Sequence, residues 1–267
     1  MGPGIKEQGP TRIVCLTAET AEVIYALGEG KRVVGVSGYT VWPPEARKKP
    51  KVGGYSTPRT DKILALNPDL VLSFSDLQAD VSSELIRKGV TVVGFNQRSL
   101  EETLNMIRMI GSLVGRPKDA LRLVAVMEAA FGQVRAAGAA LPRKPRVYFE
   151  EWSDPMISGI RWVSEMITLA GGEDIFPEFR DAASAKDRVV SSEEVIKRNP
   201  DVIVASWCGR RVRPERISGR PGWSGIRAVV RREIHEIKSA HILQPGPSLV
   251  TGLQQLHRII SGAAGAA

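Results

Sequence analysis

Cysteine, histidine and aromatic residues are scarce in this 267-residue chain, which has two cysteines, three histidines and 6% Phe, Trp and Tyr. Cys15 and Cys208 stand in different halves of the chain and form no CxxC pair. Neither a disulfide framework nor a thiolate metal site is therefore expected. Each thiol lies in or just after a strand-like run and reads as buried, which suits a reducing compartment. His235, His241 and His257 fall late in the chain without metal-ligand spacing, and no HExxH occurs. A P-loop, a GxGxxG following a strand and a GxSxG are also missing. Nucleotide binding through those motifs and a nucleophile elbow are thereby excluded. Glu150 and Glu151 are adjacent on a strand and point to opposite faces, so they make no acid–base couple; one of them is expected at the ligand-binding edge. No catalytic residue and no metal site are assigned, and the chain is not expected to be an enzyme.

Long apolar runs are lacking too, so no segment is expected to span a bilayer. The opening stretch Met1–Pro10 has no apolar core of a secretory leader. The compartment expected from the sequence as written is cytoplasmic, or periplasmic if a leader has been removed. The formal net charge is +8, spread along the chain and densest at Arg210, Arg211, Arg213 and Arg216. With no zinc-finger spacing and no aromatic–basic platform, the charge reads as surface patches, and no nucleic-acid partner is expected.

What remains is an ordinary globular composition, 43% hydrophobic and 25% charged, long enough for two modest domains. Strand-like runs alternate with helical patterns. Arg12–Leu16, Val33–Ser37, Leu70–Phe74 and Thr91–Phe95 read as strands, with helices over Glu19–Leu27 and Gln78–Lys88. That alternation predicts an α/β fold with parallel sheets covered on both faces. Pro117 to about Ala140 is alanine-rich, free of internal proline and bracketed by Pro117 and Pro142, so it predicts one long helix. The alternation then restarts with strands at Val147–Glu151, Asp201–Ser206 and Ile234–Ile237. Helices follow over Val163–Ala170 and Pro247–Ile260.

One internal echo organises the chain. Ile63-Leu-Ala-Leu-Asn-Pro-Asp-Leu-Val-Leu-Ser-Phe74 parallels Val195-Ile-Lys-Arg-Asn-Pro-Asp-Val-Ile-Val-Ala-Ser206. Each reads as a helix, an Asn-Pro-Asp turn and a buried strand, since proline cannot continue the helix. A hydroxyl and an acid precede each helix, Thr60-Asp61 and Ser192-Glu193, and are expected to cap it. The two copies imply equivalent lobes over residues 11–115 and 143–262, joined by the long helix at 116–142.

Ligands of open α/β sheets bind beyond the carboxyl ends of the strands. Tyr39 and Trp42 follow the Val33 strand, Tyr55 follows Lys51–Gly54, and Trp152 and Trp207 follow the Val147 and Asp201 strands. Trp162 opens a later helix. This set predicts a ligand site for a large, partly apolar molecule.

These residues resemble the cobalamin-binding proteins of ABC importers, a group of periplasmic binding proteins with a helical backbone (class III). The likeness runs from about Arg12 to the last helix. It rests on Gly35-Val-Ser-Gly-Tyr39 with Trp42-Pro-Pro44, and on Ile63–Asp69, in the first half. In the second half it rests on Glu150–Pro155, Gly171–Phe176, Asn199–Asp201, Ser206–Gly209 and Leu243–Pro247. The resemblance implies two Rossmann-like lobes with parallel sheets joined by one long α-helix, closing by a small movement on a corrinoid in the cleft between them. It implies cobalamin as bound ligand rather than cofactor, an ABC permease as partner and a monomeric state. In the family an acid on each lobe docks on permease arginines, and those positions correspond to Asp61 and Glu193. No Asp-x-His-x-x-Gly is present, so cobalt ligation by histidine is not expected; Cys208 is a candidate soft ligand. Two rivals share the residues: a siderophore or haem binder gripping carboxylates through Arg161 or Arg210, and a cytosolic corrinoid carrier.

Overall fold

A computed structural model describes residues 9–182 and 184–265. The reading of Met1–Pro10 lies outside these residues up to position 8. The chain divides into two units. One takes in the chain up to Gln97 together with Glu101–Val126; the other takes in Arg98–Leu100 and the chain from Met127 onward.

In the first unit β1 (Ile13–Cys15), β2 (Val33–Val36), β3 (Leu70–Phe74) and β4 (Val92–Phe95) form a wholly parallel sheet in the order β2-β1-β3-β4. The order places β1 in the interior of the sheet, and all three of its residues are buried. β3 is buried at every residue, which is why its sequence is a continuous apolar run rather than an alternating one. The helices α1 (Ala18–Ala26), α2 (Pro44–Arg47), α3 (Thr60–Leu64), α4 (Ala79–Arg87) and α5 (Leu100–Leu113) connect and follow these strands. The core under α3 and α4 gathers Val14, Leu16, Val52, Ile63, Val71 and Leu85.

The long helix α6 (Pro117–Ala139) forms as its proline bracket and alanine content dictate, and the boundary between the units falls inside it, at Val126 and Met127. α5 is a helix the strand-led reading passed over. Its apolar positions Leu100, Leu104, Ile107 and Ile110 recur at three- and four-residue steps, which is the signal that reveals it. Gly111 of α5 lies against Ala120 of α6 so closely that an added Cβ would meet that methyl at 2.2 Å.

In the second unit β5 (Arg146–Ser153) pairs with β8 (Val202–Ala205), which pairs with β9 (Ile234–Glu236), all in parallel. The short β7 (Glu173–Asp174) runs parallel to the start of β5. β6 (Met156–Ser158) returns antiparallel on the end of β5, so the expectation of a purely parallel sheet fails at that edge. A two-residue turn at Asp154 and Pro155 makes the return too short for a crossover helix, which a parallel neighbour would need. α7 (Arg161–Leu169), α8 (Ser192–Arg198), α9 (Pro214–Ser218) and a closing helix over Leu249–Gly265 complete the unit. Its core centres on Tyr148, Phe176, Trp207 and Trp223.

The sequence echo is a structural repeat. Asn67 and Asn199 both adopt φ of 45°, a left-handed conformation that asparagine tolerates; Asn199 is the C-cap of α8, and Asn67 follows the end of α3 by three residues. Asp69 then accepts from the backbone N–H groups of Thr11 and Arg12 at 2.7 and 2.9 Å, fixing the entry to β1. Asp201 accepts from the N–H of Arg146 at 2.9 Å, fixing the entry to β5. The cap positions fall one residue before Thr60 and Ser192, the residues expected to hold them. Ser191 is the cap of α8, its hydroxyl accepting from Glu194 N–H, and α3 is preceded by Arg59, which supplies no side-chain cap. The Thr60 hydroxyl instead donates to Glu84, and that of Ser192 accepts from the Trp223 indole.

Candidate ligand-binding edges

In the first unit the carboxyl ends of β1 and β3 and the loop at Tyr55 are tied together by Gln78, a buried residue that sequence reading did not single out. Its carboxamide oxygen accepts from Phe74 N–H at 2.9 Å; its amide group donates to Tyr55 O at 2.8 Å and to Leu16 O at 3.3 Å. An uncharged, two-ended hydrogen-bonding side chain is what this position needs, because it satisfies both a donor and an acceptor at once. Tyr55 is thereby held with its ring 5.9 Å from that of Phe74, the last residue of β3. The segment Pro50–Gly53 runs beside the end of β2 through hydrogen bonds from Val36, Val52 and Gly38. Gly53 has φ of +126° there, and a Cβ would meet Thr57 O at 2.5 Å, so glycine is required. Tyr39 stands over Gly54 and is 43% exposed, and Trp42 is 49% exposed. Val41 and Leu77 are exposed on loops of the same sheet ends. Large apolar side chains left open at a sheet edge are the unusual feature, not the polar surface around them.

A buried carboxyl lies at the same edge. Glu19, in the first turn of α1 just after β1, is 4% exposed. Burial raises its pKa to about 7, against the opposing hydrogen bonds from its own backbone N–H, from Thr17 and from Gln97, whose amide donates at 3.3 Å.

In the second unit Trp152, near the end of β5, is half-buried, and its indole N–H donates to Asp154 O at 2.9 Å. The Arg210 guanidinium lies over its ring, 4.8 Å from the centroid. Trp207 and Trp162 are placed differently from the other aromatics, each 4% exposed. Trp162 donates to Ile242 O at 2.8 Å, and Trp207 is part of the core. Their strand-end and helix-start positions do not by themselves put a ring on the surface. Glu150 is fully buried, held by Arg220 at 2.5 and 2.9 Å and by the indole N–H of Trp207 at 3.0 Å. Glu151 is paired with the buried Arg188 at 2.6 Å. Each carboxylate of that pair has an arginine partner, with Glu150 fully buried and Glu151 partly exposed. Arg161 is likewise paired, with Glu165 at 3.0 Å. Cys208 is exposed, not buried as its sequence setting suggested, because the chain turns away from the sheet directly after Trp207.

Among the described residues no group of three or more His, Cys, Asp or Glu side chains is placed to hold a metal. No helix among them is long and apolar enough to cross a membrane. Asp61 and Glu193 occupy the same position in the repeat, the second residue of α3 and of α8, and both are exposed. They differ in company. Arg59 grips Asp61 through two hydrogen bonds of 3.0 and 2.8 Å, lowering its pKa. Glu193 forms no ion pair among the described residues, and its pKa is lowered by its own backbone N–H and by Ser191.

Comparison with known proteins agrees with this architecture. A substrate-binding lipoprotein of an ABC transporter from Bacillus subtilis, itself uncharacterised, is 29% identical over 256 residues, 92% of this chain and 79% of the relative. A vitamin B12-binding protein of Vibrio campbellii is 30% identical over 204 residues, 74% of this chain and 72% of the relative. The structure of a periplasmic heme-binding protein from Roseiflexus sp. RS-1, in apo form, superposes with a TM-score of 0.85 at 27% identity, covering 96% of this chain and all of that one. The periplasmic binding protein family model matches residues 13–240, most of the chain from the first strand to beyond the last. The chain belongs to the periplasmic binding protein family.

Proposed function

We propose that this protein is the non-catalytic, substrate-binding component of an ABC importer, working outside the cytoplasm, and that its ligand is a corrinoid of the cobalamin type. The observation that carries the reading is the aromatic surface left open at sheet edges: Tyr39 and Trp42 in the first unit, Trp152 in the second. A flat macrocycle with apolar faces and amide-bearing rims matches rings flanked by loop peptide groups. Tyr55 is assigned a contact role beside them. Trp162 and Trp207, also candidates from sequence, are assigned to the support of that edge. Asp61 and Glu193 are the proposed docking points for permease arginines, by virtue of equivalent placement and exposure.

A haem ligand is the second reading. Arg210 over Trp152 favours it, since a guanidinium is suited to a carboxylate. Equilibrium dialysis of the protein against cyanocobalamin and against haemin separates the two. One corrinoid retained per chain, with affinity lowered about tenfold by Trp42→Ala or Trp152→Ala, is the expected result, an order of magnitude taken from the loss of one buried aromatic face. Retention of haemin alone moves the ligand assignment to the second reading.

A further inference from the structure

We infer that Arg210, laid on the face of Trp152, recognises an anionic substituent of the ligand, a phosphodiester or a carboxylate, and so sets which macrocycles the protein accepts. This rests on the proposed ligand class and deepens it.

The argument begins with the segment that follows β8. From Trp207 through Arg220 the chain has five arginines and one acid, Glu215. Arg220 is spent on the buried Glu150. Arg210, Arg211, Arg213 and Arg216 are exposed and form no ion pair among the described residues. Four like charges in seven residues repel one another, and a free loop would relieve this by spreading. This one is held. The Trp207 indole is bonded to Glu150, and Val212 is buried with its N–H donating to Glu236 at 3.2 Å. Ile217 is fully buried in the same core, and Arg220 closes the far end. The charges are therefore fixed on a rigid support, which is the arrangement of a binding surface rather than of a solvated tail.

Of the four, Arg210 is the one whose guanidinium lies over a ring among the described residues. The turn Trp207–Arg210 is closed by Arg210 N–H donating to Trp207 O at 2.9 Å, with Gly209 left-handed at φ of +70°. That turn brings the guanidinium over the ring of Trp152, a residue of the strand end itself, 4.8 Å from its centroid. A guanidinium held over a ring by cation–π attraction still carries N–H donors that can meet two oxygens of one anion. Arg210 forms no ion pair with an acid among the described residues, and Glu151, on the same strand as Trp152, is held by Arg188. A neutral rim of amides would offer such a group carbonyl acceptors only, whereas the phosphodiester of cobalamin or the carboxylates of haem add a charge and bonds about twice as strong.

The test compares ligand pairs that differ in the anion. Calorimetric affinities are measured for cobalamin and for cobinamide, which lacks the phosphodiester, and for haemin and its dimethyl ester. The proteins are the wild type, Arg210→Gln, Arg210→Lys and, as a charge control away from the sheet edge, Arg231→Gln. The expected result is that the wild type prefers the anionic member of the pair it binds by about tenfold. Arg210→Gln removes that preference, Arg210→Lys keeps only part of it, Arg231→Gln leaves it intact, and raised salt weakens it in the wild type. Binding of cobalamin and cobinamide with equal affinity, and no preference within the haem pair, overturns the inference and leaves the corrinoid reading standing. A preference confined to the haem pair upholds the inference and overturns the corrinoid assignment. Equal losses for both members of a pair in Arg210→Gln show a residue that only positions Trp152, and overturn it. Failure of all four compounds to bind overturns both.

Discussion

The indole N–H of Trp207 donates to Glu150 at 3.0 Å, with both side chains inside the second unit and Arg220 closing the same carboxylate from the other side. A strand-end tryptophan and a mid-strand acid, which sequence alone would send to the ligand edge, are thus spent on anchoring the loop that carries the arginines.

Removing one partner of that buried pair should be costly. Glu150→Ala leaves Arg220 without its counter-charge and Trp207 without its acceptor. A loss of about 3–5 kcal/mol in unfolding free energy is expected. Trp207→Phe, which keeps the ring but loses one hydrogen bond to a charged group, should cost about 2 kcal/mol. Urea denaturation followed by circular dichroism measures both, and equal small losses would contradict the anchoring role.

Asp201 and Asp69 provide a matched pair for a burial argument. Each fixes the entry of a strand, but Asp201 is 4% exposed and lies 3.3 Å from both Arg143 and Arg227, whereas Asp69 is exposed. Asp201→Ala should therefore destabilise by about 3 kcal/mol and Asp69→Ala by about 1 kcal/mol. Thermal melts of the two variants provide the comparison, and a larger loss at Asp69 would contradict it.

The buried carboxyl of Glu19 predicts a pH dependence with a definite sign. Its pKa is raised from 4.5 to about 7 by burial, so the folded state holds a proton that the unfolded state releases. Stability from this group is fully present below about pH 4.5 and falls as pH rises to about 7. At the usual scale of about 1.4 kcal/mol per pH unit this is on the order of 3 kcal/mol. Glu19→Gln should remove the slope and be the more stable protein at pH 8. Denaturation midpoints between pH 5 and pH 8 that run parallel in the two proteins would contradict the assignment.

The difference between the two exposed acids yields a transport prediction. Asp61 is already held by Arg59, so a permease arginine has to compete for it, while Glu193 is open. Glu193→Ala should reduce uptake in a reconstituted importer more than Asp61→Ala does, with ligand affinity unchanged in both. Arg59→Ala should leave Asp61 available and not lower uptake. Loss of ligand affinity in either acid variant would contradict a docking role.

The repeat was legible because its signals are local. Asn-Pro-Asp dictates a helix stop, a left-handed residue and a strand entry within a few residues, and the apolar runs Leu70–Phe74 and Val202–Ala205 admit little other than buried parallel strands. The long helix was legible from its prolines and alanines. Partner choice was not legible. Glu150 meets Arg220 across 70 positions and Gln78 reaches Leu16 across 62, so nothing near either residue reveals its role. The surface or buried state of a tryptophan at a strand end depends on whether the following loop folds back over it. Trp152 is left half-open by its loop and Trp207 is covered, although both follow apolar strands. β6 escaped notice because three residues are too few to show a period.

The central claim is ligand binding, and titration calorimetry with cyanocobalamin tests it most directly. The account expects saturable one-to-one binding by the wild type and weaker binding by Trp152→Ala. The absence of any heat with cyanocobalamin under conditions in which haemin binds would contradict the corrinoid assignment, while leaving the fold and the family in place.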